Sequence, residues 1–233
     1  DGQNAGAYRP SGFGRCLRHG RGRCGDQKFG LAFQKTKAAA AYRLPPDRKW
    51  VFMEQAVFPK KSIIAAVRTE NEWKAALNSR ADVLFLLSGT ISALPELLHE
   101  AHLRHKKLFL HLDMIDGLAK DAAGVEYVSH LSPDGIISTR GNLIKFAKSC
   151  GLCTVQRFFI VDGRSVETAL DTLRQTKPMF AELMPGLVCK TVRTFSETGL
   201  PIIAGGLVTT PEEVRDAFEA GAYAVSTSAR LLW

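Results

Sequence analysis

The chain lacks any run of about 18 consecutive apolar residues among its 233, so no membrane-spanning helix is expected. The apolar stretch of a secretory signal is missing from its start as well. Cysteine is sparse: Cys16, Cys24, Cys150, Cys153 and Cys189 make an odd number that complete pairing cannot use up. These absences point to a reducing, cytoplasmic setting with no membrane partner. No His/Cys cluster has the spacing of a metal site, so no metal ligands are expected. Excess charge is also missing where it would matter. The formal net charge is +8, yet residues 1–52 hold 11 of the 31 Lys+Arg and 3 of the 23 Asp+Glu, leaving 20 of each sign in 53–233. The net charge of the whole chain therefore does not mark it as a polyanion binder.

What is there divides at Met53. Residues 1–52 are rich in Gly and Arg, with an alanine patch at 38–41 and a Pro45-Pro46 breaker. They are read as a disordered basic extension. It is either an arm for RNA or membrane, or upstream sequence ahead of a start at Met53. From 53 to 233 a strand–helix rhythm sets in. Strands are expected at 62–67, 83–87, 108–112, 135–138, 154–159, 180–183, 201–204 and 224–226. The helix between the last two is capped by Thr210 and opened by Pro211-Glu-Glu. The helix after the fifth strand is expected to be capped by Ser165. Alternating units imply a parallel sheet, and eight of them a compact TIM-like (β/α)8 barrel, below the typical ~250 residues. An open doubly wound sheet is the alternative.

Function in such a barrel gathers at the C-terminal ends of the strands. The stretch Pro201–Ser228 supplies the last two. Gly205-Gly206 follows one and Thr227-Ser228 the other, and Gly205, Gly206, Thr227 and Ser228 form a candidate phosphate cradle. Arg68 and Arg140 are further phosphate candidates. Arg140 and Arg157 could equally form structural pairs with Asp113 or Glu182. On the third strand Phe109, His111 and Asp113 share one face, and Leu108, Leu110 and Leu112 the other. The first face points into the barrel, with Asp113 nearest the mouth. Asp113, Gln156 and Glu182 are the candidates for ligand hydroxyls, and Asp113 with Glu182 could also form an acid/base couple. His111 and Asp113 alone are a weak metal set. Cys150-Gly-Leu-Cys153 has redox-like spacing but joins a helix end to a strand start, away from the mouth, and reads as structural.

The segments His111-Leu-Asp-Met-Ile-Asp-Gly-Leu118, Ile137-Ser-Thr-Arg140, Gln156-Arg-Phe-Phe159, Glu182-Leu-Met-Pro-Gly186, Ile203-Ala-Gly-Gly206 and Ser226-Thr-Ser228 resemble the bacterial glycerol uptake operon antiterminator regulatory protein family. The match runs over roughly 58–233. The resemblance implies a TIM-barrel-like cytoplasmic regulator that binds glycerol 3-phosphate and a leader mRNA, so that a transcription terminator does not form. It implies an effector and no cofactor, and it assigns no ligand residues. Two classes of function follow. One is a ligand-responsive RNA-binding regulator without catalytic residues, reading RNA through a small patch or a homodimer surface. The other is a barrel enzyme of isomerase or aldolase/lyase type on a small phosphorylated substrate. No lysine stands at an expected strand end to form a Schiff base.

Overall fold

The computed structural model describes residues 57–233; the expected extension 1–52, with Cys16 and Cys24, lies outside the described residues. Eight parallel strands close into a barrel: β1 Ser62–Val67, β2 Val83–Leu86, β3 Lys107–His111, β4 Gly135–Ser138, β5 Thr154–Phe159, β6 Phe180–Met184, β7 Ile202–Gly205 and β8 Ala224–Thr227. Each pairs with the next, and β8 returns to β1 with Ser62 opposite Ala224. Seven helices connect them: α1 Glu70–Leu77, α2 Leu94–Leu103, α3 Ala122–His130, α4 Gly141–Ser149, α5 Gly163–Thr176, α6 Cys189–Ser196 and α7 Pro211–Glu219. The open sheet is thereby excluded. A single 3-10 turn, Arg230–Leu232, stands where an eighth helix would begin.

The helix starts obey local chemistry. Thr210 accepts the Glu213 amide while the Glu213 carboxylate takes the Thr210 amide, a reciprocal capping box. In α5 the cap is Asp162 and not Ser165. The Asp162 carboxylate accepts the Ser165 amide at 2.7 Å, and Ser165 is the third helical residue. The helix therefore starts two residues before the expected cap, with Gly163 and Arg164 in its first turn.

Alternation along each strand creates two cores. Inside the barrel lie Ile64, Val83, Phe85, Phe109, Ile137, Val155, Phe180 and Ile203. Leu108, Leu110 and Leu112 face the helices instead, so β3 has the expected two faces. Phe58 fills the bottom: its ring stacks on Phe180 at 4.8 Å and meets Phe109 edge-on at 6.0 Å. The Tyr223 hydroxyl donates to the Phe58 carbonyl at 2.9 Å. Each such buried ring contributes about 1.5–3 kcal/mol of hydrophobic stabilisation. The N-terminal end is thus plugged with aromatic rings, and the other end is left for polar groups.

Candidate functional site

The ends of β1, β5, β6, β7 and β8 surround a cavity of about 480 Å³ at the barrel mouth. Arg68, Gly206, Thr227 and Ser228 line it; Gly205, Asp113, Arg140, Gln156 and Glu182 do not. Arg68 ends β1 exposed, and its guanidinium forms no ion pair among the described residues. Its backbone amide and that of Thr69 both donate to the Glu72 carboxylate, which fixes the start of α1. The charge beside the cavity is therefore uncommitted.

The two glycines serve different purposes. Gly206 has φ +72°, a left-handed conformation that side chains resist. Gly205 has no such φ, but an added Cβ would sit 2.5 Å from Oε1 of Glu182. It is glycine because a carboxylate already occupies its side-chain space, and it stands behind the cavity wall. Thr227 contributes to the wall with its hydroxyl turned away. That hydroxyl donates to the Val208 carbonyl and accepts the Ala229 amide. Ser226 and Ser228, on the alternate face of β8, line the cavity.

Below the cavity the barrel carries a charged layer. The register sets Arg157 of β5 opposite Glu182 of β6. Arg157 Nε donates to Glu182 Oε2 at 2.6 Å, with Arg157 6% and Glu182 0% exposed. The contact is single, so Arg157 Nη2 and Glu182 Oε1 are left buried without partners. His111 Nδ1, 3.8 Å from the Asp113 carboxylate, is unpartnered too. Unmade buried hydrogen bonds cost about 1–3 kcal/mol each. Burial, reinforced by the Arg157 charge and opposed by Asp113, pushes the His111 imidazole down to about 4. It is neutral near pH 7 and presents a ring nitrogen rather than a charge.

Asp113 is not the last residue of an inward strand face. β3 stops at His111, and Asp113 lies in a 3-10 turn, Leu112–Met114. Its carboxylate accepts the Ser138 hydroxyl, the Thr139 amide at 2.7 Å and the Thr139 hydroxyl. Arg140 Nε sits 3.3 Å away. Asp113 latches the β3 end to the β4 end, and Arg140 is its pair, the structural alternative foreseen for that arginine. Gln156 is the clearest displacement. β5 alternation turns it to the helices, where Oε1 accepts the Thr176 hydroxyl of α5 at 2.6 Å. Its neighbour Arg157 is the residue that faces inward.

Three features escaped the sequence reading. Gly89–Thr90 pairs with Ile115–Asp116 in a two-residue ladder across the loops after β2 and β3. Lys120 anchors that region by donating to the carbonyls of Leu112 and Ile115. An exposed apolar rim, Phe159, Val161 and Leu207, borders the cavity. The pair of Arg157 with Glu182, the structural alternative expected for that arginine, is formed, and its inward phase on β5 is that of Val155 in the barrel interior.

A parallel barrel with this mouth is common to many proteins, and sequence comparison narrows it. The model of the family described as "Glycerol-3-phosphate responsive antiterminator" matches residues 63–233. The chain belongs to that family. The Escherichia coli (strain K12) protein YgcP, itself uncharacterized, is 30% identical over 173 residues, 73% of this chain and 91% of YgcP. The crystal structure of the glycerol uptake operon antiterminator regulatory protein from Listeria monocytogenes str. 4b F2365 is 32% identical. It superposes with a TM-score of 0.73 over 76% of this chain and 96% of that one. The glycerol uptake operon antiterminator-related protein from Thermotoga maritima MSB8 is also 32% identical, with a TM-score of 0.68 over 75% and 98%. Membership places the chain in a family described by antitermination, on a TIM-like scaffold. No described helix is long and apolar enough to cross a membrane, and no described group of His, Cys, Asp and Glu could hold a metal ion. A deoxyribose phosphate aldolase from Aeropyrum pernix shares the fold at 13% identity and a TM-score of 0.56, a likeness of architecture alone.

Proposed function

We propose that the chain senses glycerol 3-phosphate at the barrel mouth and acts on a leader mRNA so that a transcription terminator does not form. One observation carries this reading: a single cavity joins the uncommitted Arg68, the left-handed Gly206 and the Ser228 end of β8. Backbone amides at such strand ends, an adjacent hydroxyl and a guanidinium suit a phosphate. The names of the family and of its Listeria relative supply the ligand and the regulatory setting.

Turnover needs mobile acids and bases, and the two carboxylates expected as an acid/base couple are both tied to other residues. Asp113 is held by Ser138, Thr139 and Arg140, and Glu182 by Arg157. Lys120 is tied to two carbonyls. A sensor needs binding without proton transfer, which this arrangement favours over an isomerase or an aldolase/lyase.

The test is calorimetry with glycerol 3-phosphate on the full chain. Arg68→Ala is expected to weaken binding roughly tenfold, the size of one charge-assisted contact. Gly206→Asp, which adds bulk and negative charge, is expected to abolish it. Unchanged affinity in Gly206→Asp would show the phosphate site to be elsewhere. A leader-RNA gel shift should tighten when glycerol 3-phosphate is added and should survive an excess of unrelated RNA. Absence of any shift at low salt refutes the regulator reading, and turnover of a sugar phosphate would replace it with an enzyme.

A further inference from the structure

We infer that Arg157, Glu182 and His111 form a subsite for a vicinal diol, set beneath the phosphate position in the same barrel. The inference rests on the reading of the mouth as a phosphate site and gives the other end of the ligand its own partners.

Four buried side-chain atoms among the described residues have no partner. Gln156 Nε2 lies on the helix-facing side of β5, and the other three, Arg157 Nη2, Glu182 Oε1 and His111 Nδ1, lie on three strands of the barrel interior. Arg157 and Glu182 hold each other through only one contact, so each retains a hydrogen-bonding position. One is a donor and the other an acceptor. A hydroxyl is both at once: it accepts from a guanidinium N–H and donates to a carboxylate oxygen. A carboxylate or a fully ionised phosphate cannot complete this set, because it has no proton to give Glu182. An alkyl group would leave all three atoms unpaired. His111 adds a third position for a second hydroxyl. It stands two residues beyond Phe109 on the inward face of β3, as Arg157 stands two beyond Val155 on that of β5.

The layer connects to the cavity by strand geometry. Phe159 and Met184 line the cavity, and each lies two residues beyond Arg157 and Glu182 on the same strand face. Two residues of strand amount to about 6.6 Å, comparable to the reach of a phosphate carried on three carbons. Ser226, in the cavity lining, is in register with Gly205, whose missing side chain leaves room for the Glu182 carboxylate. A ligand with its phosphate at Gly206 would place its hydroxyl end over this layer.

The deciding experiment compares three ligands by calorimetry on the full chain: glycerol 3-phosphate, n-propyl phosphate, which keeps the phosphate and carbon chain but lacks both hydroxyls, and inorganic phosphate. Unaltered protein is expected to bind glycerol 3-phosphate roughly 10- to 100-fold more tightly than n-propyl phosphate. Arg157→Lys and His111→Gln are expected to shrink that ratio while leaving n-propyl phosphate affinity within about twofold. Equal affinity for the two organic phosphates in the unaltered protein overturns the diol subsite and leaves the phosphate site standing. A preserved ratio in folded Arg157→Lys and His111→Gln, judged by thermal melting, overturns the assignment of these residues. If no phosphate compound binds the unaltered protein, the reading of the mouth falls and the subsite with it. The ligand series needs no variant, so a misfolded mutant does not block the test.

Discussion

Gly205→Ala isolates the physical reason for one half of the glycine pair. The added methyl would lie 2.5 Å from Glu182 Oε1 and 3.1 Å from its Cδ and Cγ. Those atoms cannot withdraw, because Glu182 is fully buried and held by Arg157 at 2.6 Å. Overpacking alone costs about 1–3 kcal/mol. Dislodging one member of a buried ion pair costs about 3–5 kcal/mol. The expected loss is therefore roughly 3 kcal/mol or more, read as the shift in urea midpoint at constant m-value. Gly206→Ala is the internal comparison. Its new methyl meets the terminal carbon of Met184 at 3.0 Å, the flexible end of a side chain that can swing away. The remaining cost is the left-handed backbone, about 1–2 kcal/mol. Truncating Glu182 to Ala clears the space that Gly205→Ala invades, so the double variant should recover roughly 2 kcal/mol relative to the summed single losses. Additivity within about 0.5 kcal/mol, or a Gly205→Ala loss no larger than that of Gly206→Ala, would refute the carboxylate as the reason for this glycine.

Three further outcomes are expected. His111 is held near 4 in the fold against 6.5 in an open chain. Its contribution is therefore complete above pH 6.5 and is lost as pH falls toward 4, by roughly 3 kcal/mol at about 1.4 kcal/mol per pH unit; His111→Gln should flatten the urea-stability profile in that window, where Asp113, Arg157 and Lys120 are the charges that bear on the ring, and an unchanged slope would disprove it. Thr210→Ala should cost about 1 kcal/mol in thermal or urea unfolding through loss of the α7 cap, and no loss would mean the capping box contributes nothing. Of the described cysteines, Cys150 is exposed while Cys153 is buried with its thiol pushed upward mainly by desolvation. A thiol reagent should therefore label Cys150 fast and Cys153 only on unfolding, and rapid labelling of both would contradict that burial.

The barrel was legible in the sequence because its signals are local and repeated. Apolar runs of strand length, a proline-opened helix at Pro211 and the alternation of Phe109, His111 with Leu108, Leu110 each report on one face of one element. The mouth was less legible, because its groups depend on which neighbour a side chain meets across strands. Asp113 reads as a ligand until Ser138, Thr139 and Arg140 are seen to surround it. Thr227 reads as a phosphate contact until its hydroxyl is found on Val208. Gln156 and Arg157 differ by one position, and one position on a strand exchanges inside for outside. The inward identity of Val155 fixes that phase, and with it Arg157 as the barrel-facing residue.

The cost of the charged layer is itself informative. A buried ion pair is weak ground for stability, since replacement by well-packed apolar residues is often neutral or favourable. The strands already show how such a layer would be filled: one step below, the interior is Phe109, Val155, Phe180 and Ile203. Continuing that pattern through positions 111, 157 and 182 would remove the unpartnered atoms and relieve Gly205 of its constraint. The chain instead keeps an imidazole there, beside a guanidinium and a carboxylate joined to each other by one contact. It places them beneath a cavity lined by the uncommitted Arg68. Departures from the local packing rule concentrate where function opposes stability. In this barrel they concentrate at the end that the Phe58 plug leaves open.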